Sequence, residues 1–128
     1  LLGLCLESEY YPYALFKEEN KFVGSRVVNS GFQRIDGAPS LDDMIQIARI
    51  LCLKMDIVFS PFNLNFRISH GNTPYLMECN FDFGGEGVLE HLFKKEPKYN
   101  MIKCYVESLL FRNNIFRTNN LNSGYFFK

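Results

Sequence analysis

Four side chains near the middle of the chain carry oxygen atoms at a spacing that could hold a hard cation. They are Asn63, Asn65, Glu78 and Asn80, within FNLNFRISHGNTPYLMECN (62–80). Asparagine is a poor strand former, yet the runs around these residues alternate polar and apolar positions as strands do. In 62–69, Phe62, Leu64, Phe66 and Ile68 share one face, and Asn63, Asn65, Arg67 and Ser69 share the other. In 74–80, Tyr75, Met77 and Cys79 oppose Leu76, Glu78 and Asn80. The loop HGNT contains Gly71 and Asn72, both tolerant of positive φ, and predicts a hairpin that pairs Ser69 with Pro74. Counting outward sets Ile68 opposite Tyr75, Phe66 opposite Met77, Asn65 opposite Glu78, Leu64 opposite Cys79 and Asn63 opposite Asn80. A slip of one residue would mix the two faces. Opposed Cβ atoms lie about 4.5–5.5 Å apart, so the carboxylate and the amides converge on one patch. Magnesium takes oxygen ligands and is commonly held by one or two carboxylates plus substrate phosphates. The plain alternative is a solvated polar face on an ordinary antiparallel hairpin, which has the same alternation.

The elements that must position this patch are legible in outline. EYYPYALFK (9–17) and FVGSRVVN (22–29), separated by the charged EENK (18–21), predict a first hairpin. DGAPS (36–40) is turn material, and Ser40 with Asp43 three residues on forms an N-cap signal for a helix over 41–54. Leu41, Met44, Ile45, Ala48, Leu51 and Cys52 give that helix one apolar face. MDIVFS (55–60) is a short strand or extended link to the second hairpin. Gly84, Gly85 and Gly87 turn into a short helix over 87–94. Pro97 then precedes an amphipathic helix in KYNMIKCYVESLLFR, with Ile102, Tyr105, Val106, Leu109 and Leu110 on its apolar face. The tail from Arg112 reads as a loop and a final strand. The fold expected is α+β, an antiparallel β-sheet covered by helices on one face.

The bulk properties narrow the function classes. One domain accounts for 128 residues, and a hydrophobic fraction of 47% with 13 phenylalanines supports a sizeable core. Fourteen basic residues balance fourteen acidic ones. Nucleic acid and membrane surfaces, which select a basic excess, are therefore not expected partners, whereas a homodimer is allowed. No run approaches the roughly 18 apolar residues of a membrane helix. LLGLCL at the start is too short for a signal peptide and lacks its basic flank. Cys5, Cys52, Cys79 and Cys104 are widely spaced within apolar runs and read as reduced thiols of a cytoplasmic protein, not as a zinc set.

With these residues in place, PFNLNFRI…GNTPYLMECN resembles the C-terminal half of the ATP-grasp domain. That domain occurs in carbamoyl-phosphate synthetase, biotin carboxylase and many carboxylate–amine ligases. There a strand of the pattern Gly-x-x-Asn-(Val/Leu)-(Gln/Glu/Asp)-Phe precedes one of the pattern Tyr-(Leu/Val)-(Ile/Leu)-Glu-(Ile/Val)-Asn-Pro-Arg. The helix before the hairpin and the GGEG after it fit in order, so the resemblance covers roughly residues 5 to 95. It implies ATP and Mg²⁺ as cofactors, with a small-molecule carboxylate and a nucleophile as substrates joined through an acyl phosphate. It implies Glu78 as the metal-bridging glutamate and Asn80 as a ligand of the second metal. Asn65 falls where a ligand of the first metal stands, Asn63 on the signature asparagine, and Arg26 on an arginine directed at the phosphates. Phe81-Asp82 replaces Pro-Arg, and a neutral Asn65 stands where the family usually has Gln, Glu or Asp. These departures keep a second implication open, a non-catalytic module that binds a ligand or partner.

The two phosphate-gripping lysines of the family's N-terminal subdomain have no counterpart here, since Lys17 and Lys21 read as surface charges. The chain is thus expected to be the C-terminal part of a longer protein, with 1–95 as the ATP-grasp subdomain and 96–128 as a final helix and tail. Alone it is not expected to turn over. FDFGGEGVLEHLF lacks the Lys-Ser/Thr of a P-loop and reads as a helix-entry turn, with His91 a packing or surface residue.

Overall fold

A computed structural model of the chain describes residues 1–85 and 101–111. The expected helix over 87–94, with His91, the start of the last helix at Pro97 and the tail from Arg112 all lie outside the described residues. Those described form five strands and two helices: β1 (Leu2–Leu6), β2 (Glu9–Val23), β3 (Arg26–Ile35), α1 (Leu41–Lys54), β4 (Phe59–Ile68), β5 (Pro74–Asn80) and α2 (Met101–Phe111). The strands make one antiparallel sheet in the order β3-β2-β1-β4-β5.

The apolar opening LLGLCL, to which the sequence reading gave no element, is the central strand. β1 pairs with β2 on one side and β4 on the other, and all five of its residues are buried. A strand covered on both faces reads as a continuous apolar run rather than an alternation, which is what this segment is. Its ladder runs on to Leu1, whose nitrogen donates to the Leu64 carbonyl at 2.8 Å and whose carbonyl accepts the Leu64 N–H at 2.9 Å. Glu7 and Ser8, both at positive φ, turn the chain tightly into β2.

The two helices lie on opposite faces of the sheet, which corrects the expectation of helices on one face. Cys5, Tyr10, Leu15, Phe62 and Leu64 pack with Met44, Ala48 and Cys52 of α1. Leu2, Leu4, Leu6 and Ala14 pack with Met101 of α2, joined by Cys104 and Tyr105. Alternation along β1 separates the sets, and two apolar faces require two covering layers.

Helix α1 has the predicted bounds and apolar face, with Asp42 and Asp43 in its first turn favouring the positive end of the dipole. The expected side-chain cap does not form. Ser40 sits at φ −101°, ψ 15° instead of the extended conformation that aims an N-cap oxygen at the first turn. Its carbonyl accepts the Met44 N–H at 3.0 Å, while its buried hydroxyl has no partner among the described residues.

The first hairpin turns at Gly24–Ser25, not at EENK. β2 continues through residues 18–21 and pairs with β3 from Leu15↔Ile35 to Val23↔Arg26. Gly24 supplies a φ of 63° at the first position of a two-residue turn. The charges of EENK are tolerated because residues 17–30 are exposed. β2 contacts β1 only over Glu9–Ala14, so its outer half and β3 form a two-stranded arm.

β4 begins at Phe59, earlier than the expected start at 62. Pro61 fits inside it because β5 ends at Asn80↔Asn63 and, among the described residues, leaves β4 with β1 as its only strand neighbour at that level. The loop to β5 is one residue longer than predicted: Ser69 donates to the Thr73 carbonyl and Asn72 to the Ser69 carbonyl, both at 3.0 Å. Pairing therefore starts at Ile68↔Pro74, Arg67↔Tyr75 and Phe66↔Leu76. A bulge then inserts Met77, after which Asn65↔Glu78, Leu64↔Cys79 and Asn63↔Asn80 pair as predicted. The turn half of the predicted register is wrong by one residue, and the half that carries the patch is right.

Candidate functional site

The bulge determines what the β4–β5 face presents. Without it, Glu78 would lie one position out of step with Asn65. With it, Asn65 Nδ2 donates to Glu78 Oε2 at 2.9 Å. One pair further on, Asn63 lies opposite Asn80, and Asn63 Nδ2 reaches Asp82 Oδ1 at 3.4 Å. Asp82 Oδ1 also accepts the Gly84 N–H at 2.8 Å, which closes a short turn just after β5. Alternation beyond the bulge puts Glu78 and Asn80 on one side of β5, and the bond to Asn63 brings Asp82 to the same patch.

This patch belongs to the α2 face of the sheet, because Asn63 pairs with Leu2, a residue of the α2-side core. Glu78 is exposed, and Asn63, Asn65 and Asn80 are half-buried, so a charge here is solvated and needs no compensating burial. Phe81 and Phe83 hold the segment after β5 in place. The Phe81 ring packs edge-on against Phe62 at 5.2 Å, and the Phe83 ring against Tyr105 of α2 at 5.5 Å.

Beside the patch is a cleft of about 220 Å³. Leu2, Phe16 and Phe32 provide apolar walls, Glu18, Asn63 and Asn65 provide polar groups, and Gly84 and Gly85 border it with bare backbone. Asn63 and Asn65 are thus common to the patch and the cleft. The volume is below the roughly 300–1,000 Å³ of sites that enclose a drug-sized ligand, so the cleft can enclose a phosphate-sized group or one end of a longer ligand.

The sequence reading missed Phe16, Glu18 and Phe32. Their alternation in β2 and β3 was visible, but their place beside β4 depends on β1 lying between them, and β1 was not recognised. Arg26, the arginine expected at the phosphates, is not brought to the patch. It pairs with Val23 at the tip of the arm, six residues along β3 from Phe32, roughly 20 Å at the rise of a strand. Register also places it on the α1 face. Arg34, which pairs with Phe16, is the arginine of this hairpin on the cleft face.

As a metal site the patch is open. Among the described residues no three His, Cys, Asp or Glu side chains gather into a self-sufficient set. Glu78 is one carboxylate, and Asn65 and Asn63 turn their Nδ2 donors toward Glu78 and Asp82, so a magnesium ion here would have to bring most of its oxygen ligands with it. Among the described residues no helix is long and apolar enough to cross a membrane. No protein-family model, no curated protein and no solved structure matches this chain.

Proposed function

We propose that the β4–β5 face is the magnesium–nucleotide face of an ATP-dependent ligase of the ATP-grasp type. Such an enzyme joins a small carboxylate to an amine or related nucleophile through an acyl phosphate. The observation that supports this best is the register: the two strands that resemble the family motif pair so that Asn65 meets Glu78 and Asn63 meets Asn80. In this reading Glu78 and Asn80 hold magnesium and Asn65 assists. Asn63 and Asn65 orient the phosphate end of the nucleotide at the mouth of the cleft. Gly84 and Gly85 let backbone approach it without a Cβ in the way. The metal, when bound, neutralises charge on the phosphoryl group being transferred. The chain itself supplies position and charge. A cytoplasmic location, where ATP and reduced thiols coexist, goes with this reading.

Titration calorimetry of the chain with ATP, with and without magnesium, tests it. Magnesium-dependent binding that Glu78→Ala abolishes is the expected result. Binding that ignores both magnesium and Glu78 would remove the assignment.

One observation favours a second reading, a module of the same kind that binds without catalysis. Asp82 stands where the resembled motif carries arginine, and its carboxylate is held by Gly84 and Asn63 at the patch. A fixed anion there opposes phosphate unless a cation intervenes. Within the longer protein, tight Mg-ATP binding without ADP release on adding acid and nucleophile would select this reading over the ligase.

A further inference from the structure

The α1 side of the core holds a pair of nucleophilic side chains that neither the patch nor the cleft uses. Met44, Ala48 and Cys52 form the buried stripe of α1, and Cys52 lies in its last turn. Cys5, on the central strand, belongs to the same core cluster, and both cysteines are fully buried. The chain folds back over them at Ile57. The Ile57 N–H donates to the Cys52 carbonyl at 3.0 Å, and Cys5 Sγ donates to the Ile57 carbonyl, also at 3.0 Å. One residue thus clamps both cysteines together. The two thiols also hydrogen-bond each other. That bond is the largest influence on either, lowering the pKa of Cys5 against the opposing effect of burial and raising that of Cys52. Cys5 is therefore the first to ionise, with the neutral Cys52 thiol beside it.

We infer that Cys5 and Cys52 are a peroxide-oxidised dithiol that closes to a disulfide joining the central strand to the end of α1. The Cys5 thiolate attacks one oxygen of hydrogen peroxide and the O–O bond breaks. The hydroxide that leaves takes up the proton released by Cys5 and becomes water, so Cys5 is now a sulfenic acid. The Cys52 sulfur then attacks the Cys5 sulfur, the S–O bond breaks, and the hydroxyl leaves with the Cys52 proton as a second water. Two thiols give up two electrons and two protons, and the peroxide is reduced to two waters. From hydrogen-bonding contact the sulfurs need only close to the roughly 2.05 Å of a disulfide.

Both sulfurs are buried, so the oxidant reaches them when the turn above them opens. That turn, residues 55–58, is a thin cover, with Met55 50% exposed and Val58 49%. Asp56 sits at φ 52°, in the left-handed region that a side chain disfavours, and its N–H reaches the Leu53 carbonyl only at 3.4 Å. Short exposed segments of this kind are where native chains open locally. Ionisation of Cys5 also removes the hydrogen that it donates to the Ile57 carbonyl, which loosens the cover over the reacting sulfur. Hydrogen peroxide is small enough to use such an opening. Cys79 packs on the same cluster from β5, but among the described residues no hydrogen bond ties it to Cys5 or Cys52. Where thiols are otherwise kept reduced, a disulfide that forms is transient and redox-sensing. The pair is independent of the nucleotide reading and is measured without nucleotide.

Peptide mapping after a few equivalents of hydrogen peroxide tests this on the folded 128-residue chain. Once the remaining thiols are blocked, trypsin should release peptide 1–17 joined to peptide 50–54, lighter by two hydrogens than the separate pair and parted by dithiothreitol. Neither peptide contains methionine, so methionine oxidation leaves the reading clear. Cys79→Ala should form the same link in the same yield. Cys52→Ala should leave Cys5 as a sulfenic acid, trapped by dimedone on peptide 1–17. In guanidinium the pattern should change to links through Cys79, because Cys52–Cys79 and Cys79–Cys104 close shorter loops. A link through Cys79 or Cys104 ahead of Cys5–Cys52 in the folded chain would overturn the inference. So would one pattern for folded and unfolded chains, or oxidised methionines beside four unreacted thiols.

Discussion

Asn65 donates its amide hydrogen to Glu78 Oε2 at 2.9 Å across the β4–β5 pair, and a one-residue bulge at Met77 is what brings the two opposite each other. Because Glu78 is exposed, this bond contributes little to folding. An exposed hydrogen bond exchanged with water is worth about 1 kcal/mol or less. Glu78→Ala should therefore leave the melting temperature within about 3 °C of the parent. Magnesium-dependent ATP affinity should fall at least about tenfold, equivalent to roughly 1.4 kcal/mol. Thermal melts and calorimetry on the same preparation check both halves. A large loss of stability without loss of binding would make Glu78 a structural residue.

Asp82 separates charge from geometry. Its Oδ1 accepts the Gly84 N–H at 2.8 Å and Asn63 Nδ2 at 3.4 Å, and an asparagine can keep the first of these bonds. Asp82→Asn thus preserves the turn but removes an anion from the patch. A unit charge some 4 Å away is worth about 1 kcal/mol in water-like surroundings. Affinity for metal-free ATP should accordingly rise about fivefold. Binding in EDTA measured for parent and variant checks this. A weaker complex in EDTA would show that Asp82 attracts the nucleotide rather than opposing it.

Gly3 lies close against the Tyr10 ring on the α1 side of the sheet. A Cβ on Gly3 would overlap the Tyr10 ring, and Tyr10 is fully buried against Phe62, with ring centroids 6.0 Å apart. Gly3→Ala should destabilise the fold by about 1–3 kcal/mol through overpacking, read by chemical denaturation. The Tyr10 hydroxyl has no hydrogen-bond partner among the described residues. Burial also raises its pKa well above the ordinary value, the nearby thiols Cys52, Cys5 and Cys79 adding to the effect. Tyr10→Phe removes an unsatisfied buried group and should be neutral or stabilising by about 1 kcal/mol. A marked loss would mean that a water or ion satisfies the hydroxyl in solution.

Much of the patch was legible because it depends on local information. The alternation of Asn63 to Ile68 and of Tyr75 to Asn80 assigns faces, and the turn residues between them bring the strands together. The bulge at Met77 was not legible. A loop lengthened by Ser69 and a strand lengthened by one residue cancel, so the predicted pairing at Asn65↔Glu78 holds although its route was wrong. The neighbours of the patch depend on long-range topology. The short apolar run Leu2–Leu6 gives no period from which to assign a partner, yet its central place decides that Phe16, Glu18 and Phe32 lie beside Asn63. For the same reason the second apolar face, which α2 covers, was assigned to no helix.

The end of the ladder at Leu1 has a pH consequence for any polypeptide that begins there. Its nitrogen donates to the Leu64 carbonyl in a buried position. Burial, the larger effect, lowers a free ammonium at this site from 8.0 to about 6, with Glu18 opposing in part. Above pH 8 the amine is neutral in both folded and unfolded chains and stability is unaffected. As pH falls from about 8 to about 6, the unfolded chain takes up a proton that the folded one refuses, so stability declines. Below about 6 both are protonated and the loss is complete, roughly 2–3 kcal/mol at 1.36 kcal/mol for each pKa unit. Denaturation midpoints at pH 8.5 and pH 5.5 should differ by this amount relative to an N-acetylated chain, in which an amide N–H makes the same bond without a charge. Equal pH dependence in the two chains would show that Leu1 frays from the ladder and leaves its amine in water.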